Sequence, residues 1–164
     1  MALGRWHVAW SSARKSYHHD VEMWELQARE GIRDSLAQYT WAGDSARIDD
    51  LALVFCEDGV LEVRGSAPVH GRAAIAAMLT QVATPDTPPV GVRRIVRHHV
   101  ANIRFVDLEP EGARVDSYFT VLTEIGLDHY GRYRDTFVPV GDQWLIRHRF
   151  VSTDWSAPNS TMVG

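Results

Sequence analysis

The stretch RIVRHHVANIRF, residues 94–105, predicts a β-strand, because it contains several β-branched residues and neither glycine nor proline. Two adjacent histidines, His98 and His99, lie at its centre. Neighbouring residues of a strand point to opposite faces of a sheet, so one of the two imidazoles should face the protein interior. Both faces of this strand mix apolar and polar residues, and the alternation alone does not decide which histidine that is.

Three further strand-like runs follow along the chain. They are ARVDSYFTVLTEI, YGRYRDTFVPV and QWLIRHRFVST, and the segments EPEG, GLD and GD between them are typical of turns. Together with the first stretch they predict an antiparallel meander.

The part of the chain before these strands has a helical pattern. Apolar residues at three- and four-residue steps predict a helix over 21–42, with Asp20 as its N-cap. A second helix is predicted over 45–56, capped by Asp44, and a third over 72–82. EDG at 57–59 indicates a turn, VLEVRG a short strand, and TPDTPPVG a loop. Helices followed by a meander predict an α+β fold.

Composition limits the classes of protein that fit. The chain has 164 residues, 45% hydrophobic and 23% charged, which is typical of one globular domain. Its net charge of −4 argues against a nucleic-acid partner. The single cysteine excludes an intrachain disulfide. No apolar run is long enough for a membrane span or a signal peptide, so we expect a cytoplasmic protein without a membrane partner.

Two terminal segments differ from the central domain, which we place at 20–153. The N-terminal arm, 1–19, contains Trp6 and Trp10 and is basic. It is either a frayed tail or an arm that docks on a neighbouring subunit, and the sequence does not choose between them. The C-terminal tail, 154–164, is expected to be loosely held.

The candidate chemistry centres on the histidines. A histidine on a strand is either a satisfied structural group or a general base, since its pKa of about 6.5 lies near neutrality. Metal binding is not predicted: HExxH and CxxC motifs are missing, and adjacent strand residues diverge. GxSxG, GxGxxG and phosphate-loop motifs are missing as well. Proton transfer without a cofactor is the enzymatic option that remains.

Four segments carry a family resemblance through their order and spacing. They are IRDSLAQYTWAGDSARIDDLALVFCEDGVLEVRG, HGRAAIAAML, RHHVANIRF and GRYRDTFVPVGDQWLIRHRFV, and the resemblance that they carry extends over residues 25–153. In these segments the chain resembles the SnoaL-like proteins of the scytalone dehydratase and nuclear-transport-factor-like superfamily. The resemblance implies a cone-shaped α+β barrel, in which a strongly bent antiparallel sheet wraps around three N-terminal helices and leaves a deep pocket.

The relatives indicate the range of functions. They include scytalone dehydratase, lindane dehydrochlorinase, bile-acid dehydratase, polyketide cyclases and ketosteroid isomerase. Most are lyases or isomerases of hydrophobic small molecules and need no metal or organic cofactor. The small subunits of ring-hydroxylating dioxygenases have the fold without a catalytic centre. The resemblance also implies a homo-oligomer, a dimer or a trimer, built through the outer face of the sheet.

Site residues follow from the resemblance position by position. The tyrosine and aspartate of the first helix correspond to Tyr39 and Asp44 in YTWAGD, and the histidine base to His98, with Asn102 four residues later. An arginine five residues after the tryptophan of the last strand corresponds to Arg149.

Trp144 and Arg149 would lie on opposite faces under strict alternation, so a bulge is expected between them if both point inward. Two positions depart from the family. The aspartate with which lindane dehydrochlorinase pairs its histidine corresponds to Gln38. The second histidine of scytalone dehydratase corresponds to a region that contains Ser117, Tyr118 and Thr120.

Each of these residues also has a structural interpretation. Tyr39 either packs in the core or donates to a substrate oxygen. Asp44 either caps a helix, worth about 1 kcal/mol, or orients His98. Arg149 either forms an ion pair or binds a substrate anion, and Asp135 is interpreted as structural. His129 and Tyr130 are expected to be exposed at a hairpin. The residues expected to contact a substrate are Trp41, Asn102, Tyr118 and Met78.

Two functional hypotheses lead, and a third, a metal-dependent enzyme, would need an ordered ion at His98. The first is a cofactor-independent lyase or isomerase in which His98 abstracts a proton, Asp44 holds the imidazole, Tyr39 donates a hydrogen bond and Arg149 stabilises negative charge. Its substrate would be a hydrophobic cyclic or polyketide-like small molecule. The second is a non-catalytic ligand-binding or assembly subunit of the same fold. Convergence of the four residues on one cavity would favour the enzyme.

Overall fold

The computed structural model describes residues 21–83, 95–160 and 162. Within them the predicted α+β architecture is confirmed, with three helices and one six-stranded sheet. The N-terminal arm and the loop at 84–91 lie outside the described residues. In chain order the elements are α1 (Met23–Asp44), α2 (Ile48–Ala52), β1 (Phe55–Val63), β2 (Val69–His70), α3 (Arg72–Ala83), β3 (Val96–Glu109), β4 (Gly112–Thr123), β5 (Gly126–Val140) and β6 (Gln143–Ser156).

The sheet is bent and has the strand order β2-β1-β6-β5-β4-β3, and it stays open in the part of the chain that the structure describes. The four strands from β3 to β6 form the predicted antiparallel meander, with two-residue turns at 110–111, 124–125 and 141–142. β1 pairs in parallel with β6 and in antiparallel with β2, a short strand that the sequence analysis did not anticipate. The helices pack against the sheet and cover one of its faces.

The first helix begins later than predicted, and its cap is Glu22. The backbone N–H of Glu22 donates to the Glu25 carboxylate at 3.2 Å, while the Glu22 side chain accepts from the backbone of Glu25, a reciprocal capping box. The predicted Asp20 cap lies outside the described residues. The apolar stripe of the helix is buried against the sheet at Ala28, Ile32, Leu36 and Tyr39.

The prediction of a second helix over 45–56 is wrong beyond Ala52. Phe55 and Cys56 belong to β1, because pairing of Phe55 with Ile146 of β6 holds this backbone extended. EDG is part of β1 instead of a turn, at a place where the register with β6 shifts. A local apolar pattern does not contain this long-range pairing, which overrides the helical preference of the segment.

A bulge in β6 is confirmed between the tryptophan and the arginine. The register with β5 shifts so that Arg147 is an extra residue on β6. Alternation restarts after it, and Ile146 and Arg149 are both fully buried although they are three residues apart. The strand then continues to Ser156, so the tail predicted from 154 begins inside β6.

The core lies between the concave face of the sheet and α1 and α3. Gly131 of β5 is required there by close packing, because a Cβ at this position would lie 2.1 Å from the backbone oxygen of Ser152 and 2.9 Å from the ring of Phe119. Fully buried apolar side chains fill the rest of this layer, namely Ile32, Phe55, Ile75, Val115, Val121, Phe137 and Ile146.

Candidate active site

A cavity of about 550 Å³ opens between the concave face of the sheet and the C-terminal end of α1. This volume is in the range of pockets that hold small organic ligands. Its walls are mainly apolar, with side chains such as Ile48, Leu61, Met78 and Val96. The polar side chains among them are few, namely Tyr39, Asp44, Ser45, His98, His129, Tyr133 and Thr153.

Asp44 and His98 form a hydrogen-bonded pair on the cavity wall. Oδ1 of Asp44 lies 2.6 Å from Nδ1 of His98, and the backbone N–H of His98 donates to both carboxylate oxygens, at 3.0 and 3.2 Å. The prediction that Asp44 caps α2 is wrong, because Asp44 is the last residue of α1 and the N-cap of α2 is Arg47. The alternative interpretation, in which Asp44 orients the imidazole of His98, agrees with this hydrogen bond.

The geometry of this pair fixes the imidazole tautomer. An ionised carboxylate only accepts hydrogen bonds, so Nδ1 of His98 carries the proton and Nε2 keeps its lone pair. Nε2 forms no hydrogen bond with any described residue. His99, the next residue, is exposed on the outer face of the sheet. The histidine of RIVRHHVANIRF that faces inward is therefore His98, and a neutral imidazole held in this way is suited to act as a general base.

Two tyrosines, Tyr39 and Tyr133, line the same cavity in front of a buried arginine. The guanidinium carbon of Arg149 lies 4.2 Å from the ring centroid of Tyr39 and 4.1 Å from that of Tyr133. Asp135 binds this guanidinium through two hydrogen bonds, 2.8 and 2.7 Å long, and both side chains are fully buried. The placement corrects the prediction that Arg149 contacts a substrate, because its charge is paired behind the tyrosines. The structural interpretation of Asp135 is confirmed.

Burial and neighbouring charges keep Arg149 positively charged and the Tyr133 hydroxyl protonated. Burial opposes the charge of Arg149, but the adjacent Asp135 outweighs it, and the pKa of Arg149 is raised overall. Burial also raises the pKa of Tyr133, so its hydroxyl stays protonated. The hydroxyls of Tyr39 and Tyr133 form no hydrogen bond with another described residue. Both are available as donors to a molecule in the cavity.

A second histidine, His129, lines the cavity from β5, and the expectation that it is exposed is wrong. It is 7% exposed, and its Nδ1 lies 2.7 Å from Oδ1 of the fully buried Asp128. GLD is not the turn, which lies at 124–125. A bulge at Asp128 buries both consecutive side chains. The sequence signal for this buried pair was the run DHYGRYRD in β5, because polar residues occupy positions of that run that face the interior.

Burial of His129 should make stability depend on pH. Desolvation lowers the pKa of His129 below its ordinary value, although Asp128 acts in the opposite direction. The unfolded chain therefore binds more protons below about pH 6.5, and this contribution to stability is lost as pH falls. We expect His129→Gln to flatten the fall in the free energy of unfolding between about pH 7 and pH 5, measured by urea denaturation. His70→Gln, at an exposed histidine of β2, should leave the slope unchanged, and an equal effect of both variants would contradict this assignment.

Of the four residues predicted to contact a substrate, the structure places one on the cavity wall and three outside the cavity. Met78 lines the cavity. Trp41 is 72% exposed, because it lies two residues from Tyr39 and thus on the opposite side of α1. Tyr118 is 53% exposed, because alternation along β4 turns it to the outer face. Asn102 is exposed at a bulge in β3, with φ of 51°.

The position of Gln38 resolves the departure from the lindane dehydrochlorinase pattern. Gln38 is exposed, and its side-chain amide donates to the backbone oxygen of Asp50 at 3.5 Å. The carboxylate that pairs with His98 comes instead from Asp44, at the end of the same helix. The histidine thus has its acidic partner from another turn of α1.

Metal ligands and membrane segments are the remaining features to consider. Among residues 21–83, 95–160 and 162, no three His, Cys, Asp or Glu side chains are grouped so that they could hold a metal ion. None of the helices in those ranges is long and apolar enough to cross a membrane.

An open bent sheet around helices, with a histidine–aspartate pair in an apolar cavity, defines a small α+β pocket protein, and similar solved structures have a cystatin-like fold. The model of the SnoaL-like domain family matches residues 24–150, and the chain belongs to this family. No curated protein sequence matches the chain.

Solved structures of other proteins share this fold. A proposed scytalone dehydratase from Novosphingobium aromaticivorans is 24% identical, with a TM-score of 0.68 over 85% of this chain and 95% of that one. ActVI-ORFA from Streptomyces coelicolor is 20% identical, with a TM-score of 0.66 over 77% and 97%. A protein from Catenulispora acidiphila in complex with S-DNPA is 24% identical, with a TM-score of 0.67 over 79% and 95%. At these identities the similarity shows the fold.

Proposed function

We propose that the protein is a cofactor-independent lyase or isomerase that removes a proton from carbon in a hydrophobic cyclic small molecule. The observation that carries this proposal is the Asp44–His98 pair, whose Nδ1–H is held by the carboxylate while Nε2 is left for the cavity. A carbon next to a carbonyl group is the position at which a base of this strength abstracts a proton. The family includes dehydratases and cyclases, which agrees with this chemistry.

Each polar group around the cavity has a role in this step. His98 Nε2 takes the proton, and the Asp44 carboxylate stabilises the imidazolium that forms. Negative charge then develops on the carbonyl oxygen of the substrate, and the hydroxyls of Tyr39 and Tyr133 donate hydrogen bonds to it. Arg149 fixes the rings of both tyrosines from behind and is a positioning residue. The apolar walls strengthen these interactions by excluding water.

The volume and the apolar lining of the cavity favour a hydrophobic substrate that is larger than a single functional group. Most of its lining is apolar, and its volume is sufficient for two fused rings. The Catenulispora acidiphila protein of the same fold was solved in complex with S-DNPA, which agrees with ligand binding by this fold.

Exchange of carbon-bound protons in deuterated water tests the proposal without knowledge of the natural substrate. The wild-type protein should accelerate the exchange of the α-protons of α-tetralone or cyclohexanone, followed by proton NMR. Asp44→Asn should reduce this acceleration by about 100-fold, because an amide that donates to Nδ1 moves the proton to Nε2 and removes the base. Asp50→Asn, at an exposed acid of α2, is the control. Exchange of neither ketone above the buffer rate would contradict the proposed function.

We also propose that the protein is a homo-oligomer in the cytoplasm. The outer face of the sheet carries exposed large side chains, among them Tyr118, Leu122, Tyr130 and Trp155. Analytical ultracentrifugation measures the mass directly, and a monomer at all concentrations would contradict the oligomer.

A further inference from the structure

One residue of the cavity wall, Met162, comes from the chain after β6. The other described residues that line the cavity belong to helices, to strands or to the connection between α1 and α2. Met162 is partly buried and packs against the core. The position of this part of the wall therefore depends on how the residues after Ser156 are attached to the sheet.

A series of hydrogen bonds attaches Met162 to β5. The backbone N–H of Ala157 donates to the backbone oxygen of Asp128 at 2.7 Å. The hydroxyl of Ser160 donates to Oδ1 of Asp128 at 2.7 Å and accepts from the backbone N–H of Met162 at 3.2 Å. The Ser160 hydroxyl thus connects the backbone of Met162 to the Asp128 carboxylate.

The Asp128 side chain is a fixed anchor for this attachment, because it is fully buried and bound on both oxygens. Oδ1 also lies 2.7 Å from Nδ1 of His129, and Oδ2 accepts from the hydroxyl of Thr123 at 3.2 Å. A displacement would leave the carboxylate without these donors in the interior, which costs free energy. We therefore expect Met162 to be held in place relative to the sheet.

Met162 is attached on the β5 side of the cavity, across from His98 on β3. Its anchor, Asp128, directly precedes His129, which lines the cavity. His98 of β3 pairs with Val121 of β4, and Val121 pairs with His129 of β5. Two strand spacings separate the backbones of His98 and His129 by about 10 Å. A ligand whose reacting carbon lies at His98 and whose rings cross the cavity therefore extends towards Met162.

From this placement we infer that Met162 is a specificity-determining residue, which limits how far the rings of a ligand can extend across the cavity from His98. The inference rests on the proposed function, because it concerns ligands bound at the same site. The Met162 side chain closes the cavity on this side, and the Ser160 hydroxyl keeps it there. In the alternative, structural role, Met162 only covers the core, and its loss lowers stability without changing which ligands bind.

Two ketones of different length test this limit. α-Tetralone has two fused rings, and its linear benzo-fused analogue has the same ketone ring with a third ring in line. Equilibrium dialysis gives the dissociation constant of each. We expect Met162→Ala to lower the ratio of the dissociation constant of the longer ketone to that of α-tetralone by about tenfold, because it makes room for the third ring. Met23→Ala, at an exposed methionine of α1 that does not line the cavity, is the matched control and should leave the ratio unchanged.

A second variant, Ser160→Ala, tests the attachment. It keeps the Met162 side chain but removes the hydroxyl between Met162 and Asp128, so the ratio should fall in the same direction. If both substitutions act through the position of Met162, the double variant should show no larger change than Met162→Ala alone. Ser66→Ala, at an exposed serine after β1, is the control. Additive changes in the double variant would overturn the inference that Ser160 keeps this wall in place.

The outcomes separate this inference from the proposed function. An unchanged ratio in Met162→Ala, whether or not urea denaturation shows a loss of stability, would overturn the inference and leave the proposed function in place. A lowered ratio without proton exchange of either ketone would support the inference and contradict the proposed function. Absence of α-tetralone binding to the wild type would remove both.

Methyl NMR of the wild-type protein decides if the variants do not fold. The chain has four methionines, so their methyl signals are few and can be assigned. On addition of α-tetralone the signals of Met162 and Met78, which both line the cavity, should move, and that of the exposed Met23 should not. A Met162 signal that stays in place while that of Met78 moves would overturn the inference.

Discussion

Replacing His98 by glutamine is expected to reduce catalysed proton exchange by about 1000-fold while the protein stays folded. General-base catalysis contributes on the order of 100- to 10,000-fold, and the amide of glutamine is not a base at neutral pH. The side chain is similar in size and still donates to Asp44, so the pair with the end of α1 is retained. The exchange of α-tetralone protons gives the rate, and circular dichroism with urea denaturation gives the fold.

The neighbouring histidine supplies the matched control for this experiment. His99 has the same chemistry and the same strand but lies on the outer face, exposed to solvent. His99→Gln should leave the exchange rate within about twofold of wild type. A folded His98→Gln protein with full activity would show that the base is elsewhere in the cavity, and His129 would be the next candidate.

The sequence predicted those features of the site that depend only on residues close together along the chain. Strand alternation requires that His98 and His99 diverge, and the spacing within YTWAGD places Tyr39 and Asp44 near the same end of one helix. The family resemblance supplied the choice of His98. The structure confirms that His98 faces the cavity and contacts Asp44.

The parts that the sequence did not predict depend on pairing between distant segments. Phe55 looked helical because the strand that holds it extended, β6, begins about 90 residues later. Asp128 and His129 looked like a turn because the bulge that turns both inward is defined only by their register with β4. Arg149 looked like an anion site because its partner, Asp135, becomes adjacent only when β5 and β6 pair. Local patterns carry no information about any of these contacts.

Replacing Asp135 by asparagine is expected to lower the free energy of unfolding by about 3–5 kcal/mol. Removing one partner of a buried ion pair leaves the other charge unpaired in the interior, and an arginine does not neutralise itself by losing its proton. Arg149 is fully buried, so bulk solvent does not reach the guanidinium to replace the lost carboxylate oxygen. The guanidinium also supports the rings of Tyr39 and Tyr133, so exchange activity should fall together with stability. Urea denaturation gives the free energy, and the exchange of α-tetralone gives the activity.

An exposed pair between the same two strands tests whether burial is the cause. Arg132 of β5 and Asp154 of β6 also make a two-point contact, at 2.9 and 2.7 Å, but both side chains are about one-third exposed. Water solvates each charge when its partner is removed, so Asp154→Asn should cost at most about 1 kcal/mol. Equal losses from Asp135→Asn and Asp154→Asn would mean that hydrogen-bond geometry, and not burial, determines the cost. A larger loss of stability from Asp135→Asn would assign the cost to the unpaired charge of Arg149, which lies behind the cavity wall.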